Sequence, residues 1–231
     1  VPTLKTELEE IVRRFPNSLV ADSACLGSEL DALVLALDDA EKQNDKELIL
    51  EKKIEIEINR MHEMESTYGD IPLLVFSDLR VVDNTLNEIS PSMWRDGGVN
   101  PEYLCSFDKG AVFEFVTGCT MLFNDKAKRC VSLNATHALM HDSWIACCIL
   151  KANGIINGVN KPLVNYRQHG DNTLGATNWA SHGTLYKLSH ISTIIMKNYR
   201  HWKSLEDLGY GSFFKYLKNK YLFRKRHHGK E

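Results

Sequence analysis

The sequence contains no Cys-x-x-Cys pair, no apolar run near the length of a membrane span and no signal-peptide pattern at its start. A membrane-spanning helix needs about 20 consecutive apolar residues, so no such helix is expected. The six cysteines lack the spacing of a zinc site, and Cys147 and Cys148 are adjacent within an apolar stretch. We therefore expect reduced thiols in a cytoplasmic protein rather than a disulfide framework.

An excess of one charge sign is also missing, since the formal net charge is −2 over 231 residues. This balance provides no general attraction for nucleic acid, and we expect no nucleic-acid partner. The segment from Lys197 to Glu231 differs, with ten Lys and Arg residues against three Asp and Glu. Its cations alternate with aromatic residues, as in a helix that lies peripherally on an anionic membrane surface. A helix packed on its own domain, with a solvated basic face, explains the composition equally well.

Segments with the patterns of strands and helices alternate along the chain. Residues 72–82 form a β-rich apolar run with the length of a buried strand, "KELIL" (46–50) resembles a shorter one, and residues 137–153 have helical spacing. The alternation predicts an α/β fold, with a mixed sheet flanked by helices and a helical basic C-terminal tail. Because no internal repeat is found, we expect one domain over residues 1–178, followed by a helical extension over 179–231.

The stretch "ALMHDSWIACCIL" (138–150) places His141 and Asp142 inside an otherwise apolar segment. Asp142 is predicted near the start of a helix, where acidic side chains are favourable caps. A carboxylate held at this position can also act as a general base that accepts the proton of a hydroxyl group. Both roles stay open from the sequence.

Two further groups of polar residues follow predicted strands. "NYRQHGDN" concentrates Arg167, Gln168 and His169 at a strand end, where α/β proteins commonly bind ligands. Arginine suits a phosphate group and histidine can coordinate a divalent metal, although a solvated polar turn is the alternative. Asp78 and Asp83, near the exit of the strand at 72–82, either bind a metal or a hydroxyl group or cap turns.

Four segments occur together in a specific order: "PLLVFSDLRVVD", "VTGCTMLFN", "MHDSWIA" and "KPLVNYRQHGDNTLGA". In order and spacing they resemble the second half of bacterial family 2 glycosyltransferases, in particular the rhamnosyltransferase-like subgroup. The resemblance covers roughly residues 52–178. It implies a GT-A fold and the inverting transfer of a sugar, such as rhamnose, from a nucleotide-diphosphate sugar. The acceptor would be lipid-linked or a cell-surface polysaccharide, at the inner face of the cell membrane.

The resemblance also implies a role for each matched residue. Asp142 would be the catalytic base that deprotonates the acceptor hydroxyl. The acceptor site would be formed by His141, Trp144, Thr117, Gly118 and Cys119. The donor diphosphate would be bound by Arg167, Gln168, His169 and Asp78, and His169 would also coordinate a divalent manganese or magnesium ion.

Two other functions remain open. The family's N-terminal nucleotide loop is not found, and its Asp-rich metal motif is absent between Leu50 and Lys53. This is expected of a domain that lacks part of the nucleotide-binding half, or of a non-catalytic relative that binds a partner. A metal-dependent hydrolase is the third possibility, built on Asp78, His141, Asp142 and His169.

Overall fold

The computed structural model describes residues 46–113, 115–131, 138, 140–168 and 191–227. Helix α1 (Lys46–Tyr68) precedes the long strand β1 (Leu73–Val82). Next come β2 (Glu88–Ser90) and the short helices α2 (Met93–Gly97), α3 (Pro101–Leu104) and α4 (Phe107–Gly110). A 3₁₀ turn at Gly118–Thr120 leads into β3 (Met121–Phe123) and α5 (Asp125–Cys130). The remaining elements are α6 (His141–Lys151), β4 (Ile155–Arg167), α7 (Ile191–Glu206) and α8 (Phe213–His227).

Strand β1 is the centre of a four-stranded mixed sheet. It pairs in parallel with β4 along its whole length, from Leu73 opposite Ile155 to Val82 opposite Arg167. It also pairs antiparallel with β3 near its start and with β2 near its end. The pairing with β4 is irregular near Ser77 and Asp78. The predicted α/β class, with a mixed sheet flanked by helices, is confirmed.

Both faces of β1 are covered, which explains its nearly continuous apolar sequence. Leu73 and Val75 pack with Ile56, Met61 and Met64 of α1 in one apolar cluster. The alternate residues of β1 are buried in a second cluster that contains Trp94 of α2 and Ile149 of α6. The sheet therefore lies between α1 on one side and α2 and α6 on the other.

The return from α6 into β4 is tight because Gly154 lies against backbone on two sides. A Cβ atom at this position would be 2.6 Å from the Pro72 carbonyl oxygen and 2.9 Å from the Ile149 carbonyl oxygen. The adjacent amide of Ile155 donates a 2.9 Å hydrogen bond to the same Pro72 oxygen. A residue without a side chain thus allows α6 to end directly beside the start of β1.

The C-terminal helices pack against the rest of the described chain through one apolar cluster. Tyr216 of α8 and Leu205 of α7 are buried there with Tyr210, Val112 and Cys147. The predicted boundary at residue 178 lies outside the described residues. Within the described segments, no helix has the length and apolar character needed to cross a membrane.

Two local expectations were wrong. "KELIL" belongs to α1 rather than to a strand, because Ile49 continues the helical stripe that packs on the sheet. The β-rich apolar pattern of "AVFEFV" (111–116) also predicts a strand, but its described residues form none. Its apolar side chains are instead divided between the cluster beneath α7 and α8 and the cluster beneath α6.

Candidate active site around Asp142

Asp142 is buried in the first turn of α6, where its carboxylate connects this helix to the 3₁₀ turn. The amide of Gly118 donates a 3.1 Å hydrogen bond to Oδ2, and the amide of Ser143 donates a 2.8 Å hydrogen bond to Oδ1. The helix dipole favours a negative charge at this position. Because a carboxylate offers about four acceptor positions, these two bonds leave capacity for a further donor. Asp142 therefore stabilises the local structure through two hydrogen bonds and can also accept a proton as a base.

The turn that contacts Asp142 is held closely against His141. A Cβ atom on Gly118 would lie 2.6 Å from His141 Nε2, so the backbone and the imidazole are adjacent. The carbonyl of Thr117 accepts hydrogen bonds from the amide and hydroxyl of Thr120, at 2.9 and 2.7 Å, which closes the turn. Thr117, Gly118, Cys119 and His141 are thus brought together beside Asp142, and their acceptor-binding role stays a prediction.

Two charged residues of α1 lie within electrostatic reach of this turn. Cys119 is exposed as a residue, but partial shielding of its sulfur raises the pKa of the thiol. The ammonium of Lys53 opposes this increase in pKa, and the carboxylates of Asp142 and Glu57 add to it. Lys53 Nζ itself lies 2.8 Å from Glu57 Oε2 in a largely buried ion pair. The candidate site therefore includes α1 as well as the turn and α6.

Glu57 is the member of this pair that sequence reasoning missed. Its side chain is 2% exposed, and Oε1 has no hydrogen-bond partner within the part of the chain that the structure describes. Burial raises the pKa of Glu57, while the charge of Lys53 acts in the opposite direction. The sequence contained a signal for the burial of Glu57. Lys53 and Glu57 follow Ile49 by one and two helical turns, so they lie on the helix face that covers the sheet.

Trp144 is buried on a different side of α6 from the turn. It lines a small crevice between α6 and α7, together with Cys147, His201 and Leu205. The structure thus places Trp144 at a helix–helix contact. Its predicted part in an acceptor pocket remains a prediction.

Asp78 is buried, and its carboxylate is engaged by protein groups. Oδ1 accepts hydrogen bonds from the amides of Leu79, at 2.7 Å, and Trp94, at 3.1 Å. Oδ2 accepts a hydrogen bond from the hydroxyl of Ser92, which is also the N-cap of α2. These contacts hold the start of α2 against the sheet. The predicted donor-binding role of Asp78 stays a prediction.

The residues predicted to bind the donor lie farther along the sheet. Arg167 of β4 pairs with Val82 of β1. Met121, which directly follows the 3₁₀ turn, pairs with Phe76, six positions earlier on β1. Six positions correspond to about 20 Å at the usual rise of a strand. The amide of Gln168 donates a 2.8 Å hydrogen bond to the Val82 carbonyl. The structure therefore does not bring these two residues next to Asp142.

His169, the predicted metal ligand, lies outside the described residues. Across the described ranges, no group of three or more His, Cys, Asp or Glu side chains could hold a metal ion. The described residues thus provide no site against which the predicted manganese or magnesium could be fitted. The metal stays a prediction, and no chemical step is assigned to it.

Comparisons with known proteins do not support the resemblance that the four sequence segments suggested. No protein-family model matches the chain. No solved structure matches it. A probable DNA polymerase, YorL, of Bacillus subtilis (strain 168) is 36% identical over 56 residues. A DNA-directed DNA polymerase of Bacillus phage SPbeta has the same identity over the same length. The chain spans about 4% of the length of these relatives, and the match covers 24% of the chain.

The assignment to the family 2 glycosyltransferases was therefore wrong. The similarity that the comparisons detect is to part of a DNA polymerase, and no family model of any kind fits the chain. The four segments share short patterns whose residues also have local structural reasons to be present. Gly118 allows the close contact with His141, and Asp142 caps the turn.

Proposed function

We propose that the site around Asp142 transfers a sugar from a nucleotide-diphosphate sugar to a hydroxyl group of a carbohydrate acceptor. The observation that supports this is the position of the Asp142 carboxylate. It is held by two backbone amides at a helix start, beside an exposed histidine and an exposed thiol. Such a carboxylate suits the removal of a proton from a hydroxyl group that enters from the side of the turn. The free thiols of the described cysteines fit a cytoplasmic location for the reaction.

In the proposed reaction, Asp142 accepts the proton of the acceptor hydroxyl as that oxygen attacks the anomeric carbon. The new carbon–oxygen bond forms while the bond from the anomeric carbon to the diphosphate oxygen breaks. The nucleoside diphosphate leaves with the electron pair, and attack from the opposite face inverts the configuration. Negative charge develops on the leaving diphosphate. We assign the ammonium of Lys53, on the α1 side of the site, as the cation that stabilises this charge.

The test is the release of nucleoside diphosphate from a panel of nucleotide sugars, with manganese or magnesium present. Asp142→Asn should reduce turnover by about a hundredfold or more, since a general base contributes on the order of 10² to 10⁴. The asparagine oxygen can accept only one of the two amide hydrogen bonds of Gly118 and Ser143, so the variant should lose some stability, and circular dichroism at the assay temperature verifies that it is folded. Asp70→Asn, at an exposed carboxylate, is the matched control and should retain full turnover.

Several outcomes would replace this proposal. If calorimetry detects no binding of any nucleotide sugar, the proposed sugar transfer is wrong and a non-catalytic binding domain is favoured. Metal-dependent hydrolysis of phosphoesters without a sugar donor would identify a hydrolase. Incorporation of nucleotides on primed DNA would connect the chain to the activity for which its partial relatives are named. Full turnover by Asp142→Asn would remove Asp142 from the mechanism.

A further inference from the structure

Among the residues that the structure describes, helix α8 packs against the apolar cluster through the face that contains Tyr216. Tyr216 is completely buried in the cluster beneath α7 and α8, and Phe213 and Phe223 pack partly against it. The phenol oxygen of Tyr216 lies 3.0 Å from Nδ1 of His201 and accepts a 2.9 Å hydrogen bond from Lys220 Nζ. These contacts determine which side of α8 points inward.

The opposite face of α8 exposes large apolar side chains at helical spacing. Phe214 is 78% exposed, Leu217 40%, Tyr221 66% and Leu222 46%. These positions are i, i+3, i+7 and i+8, which is the pattern of the buried face of an ordinary amphipathic helix. Single exposed apolar residues are common, but a continuous stripe of them marks an interaction surface. We call these four residues the outer stripe.

The charges near the outer stripe indicate the chemistry of what covers it. Residues 213–227 include six Lys and Arg residues and no Asp or Glu. Lys218 is exposed one helical turn from both Phe214 and Tyr221, on the same side of the helix. An apolar stripe with aromatic residues, bordered by cations and without acidic residues, is complementary to an anionic lipid surface.

We infer that α8 docks on anionic membranes through the outer stripe, with its axis in the plane of the membrane. This inference is independent of the proposed sugar transfer. It also specifies which residues make the membrane contact that the composition of residues 197–231 predicts. Phe213, Tyr216 and Phe223 pack inward, so Phe214 and Tyr221 are the aromatic residues of α8 that enter the lipid interface.

The experiment is flotation of the full chain with vesicles of phosphatidylcholine alone or with about one third phosphatidylglycerol. We expect binding to the anionic vesicles, weakened by salt because exposed charges are screened. Phe214→Ser with Tyr221→Ser should weaken binding about tenfold or more, since both aromatic side chains are lost from the lipid interface. Ile89→Ser, at an apolar residue on β2 that is 57% exposed, is the control and should bind as the wild type does.

Three results would overturn the inference. The first is no flotation of the wild-type chain with anionic vesicles. The second is unchanged flotation of the Phe214→Ser, Tyr221→Ser variant, with its fold verified by circular dichroism. The third is self-association that light scattering detects and that this variant abolishes, because the stripe would then be covered by a second copy of the chain.

Discussion

The amide of Gly118 and the carboxylate of Asp142 are joined by a 3.1 Å hydrogen bond between residues that are 24 positions apart. The bond makes the start of α6 and the 3₁₀ turn one structural unit. His141 lies directly over Gly118, so a side chain added at Gly118 would meet the imidazole rather than the carboxylate. This arrangement allows the structural and chemical parts of the site to be separated by substitution.

Gly118→Ala should displace His141 while leaving the fold intact. The new methyl group would approach Nε2 to 2.6 Å, and the exposed imidazole can move away. We expect a loss of stability below about 1 kcal/mol, because the atom that must yield is the end of a mobile side chain. His141→Ala in the same chain should remove the clash, so that the double variant unfolds at nearly the wild-type urea concentration. Equal destabilisation of the single and double variants would contradict the described contact.

Asp78→Ala should destabilise the protein strongly. The substitution leaves the amides of Leu79 and Trp94 and the hydroxyl of Ser92 without their acceptor in a buried region. We expect a decrease of about 3 kcal/mol or more in the free energy of unfolding, measured in urea. Asp83→Ala is the comparison, since Asp83 caps an exposed turn and is not buried. If Asp78→Ala retains stability and loses only nucleotide-sugar binding, the donor-site role predicted from the sequence is restored.

The sequence predicted the elements that depend on local patterns. The apolar run at 72–82 and the helix that begins near Asp142 were both predicted, because strand length and helical spacing can be recognised within a few residues. The contact of Asp142 with Gly118 could be expected only from the family resemblance, and that resemblance was wrong. Short patterns can recur wherever a glycine and a capping carboxylate serve the same local geometry.

The remainder depended on contacts between distant residues. Glu57 is a charged residue in a helix rich in charges, and only the docking of α1 on the sheet shows that it is buried. Similarly, the hydrogen bonds of Asp78 depend on the position of α2, which a sequence window around the strand does not contain. Local periodicity specifies the face of an element, but not the partner of each polar group on that face.

Acid should destabilise the junction of α7 and α8 through His201. Burial and the nearby charges of Lys220 and Lys197 lower the pKa of this histidine from 6.5 to about 3. The folded state therefore binds fewer protons than the unfolded state between these values. Stability is fully present above about pH 6.5 and decreases as the pH falls, by about 1.4 kcal/mol per pH unit.

The measurement is the free energy of unfolding in urea at intervals from pH 7 to pH 4. His201→Gln retains a polar group that can contact the Tyr216 hydroxyl, but it does not titrate. For each protein, the free energy of unfolding at pH 7 is subtracted from the values at lower pH. The free energy of the variant should then decrease less steeply with falling pH than that of the wild type, by about 1.4 kcal/mol per pH unit. His62→Gln, on α1, is the control for a general loss of histidine charge. Parallel curves for His201→Gln and the wild type would show that His201 titrates normally.

Gly154→Ala should be more damaging than Gly97→Ala. The methyl group at 154 would meet backbone oxygens of Pro72 and Ile149 within 3 Å, and backbone atoms cannot move aside cheaply. Overpacking of this kind costs about 1–3 kcal/mol. At Gly97 the nearest atom is a methyl carbon of Val99 at 3.4 Å, an ordinary contact. Thermal unfolding of both variants tests this order, and equal midpoints would contradict the tight return from α6 into β4.

The parallel pairing of β1 with β4 has a consequence for the order of folding. The central strand, Leu73–Val82, cannot complete its longest ladder until Ile155–Arg167 has left the ribosome. Until then, the edge of β1 that faces β4 lacks the partner that it has in the folded protein. Because parallel pairs between distant segments form slowly, the nascent chain exposes this apolar strand edge while residues 83–154 are being made. This topology therefore leaves that edge open to pairing with other chains until β4 has been made.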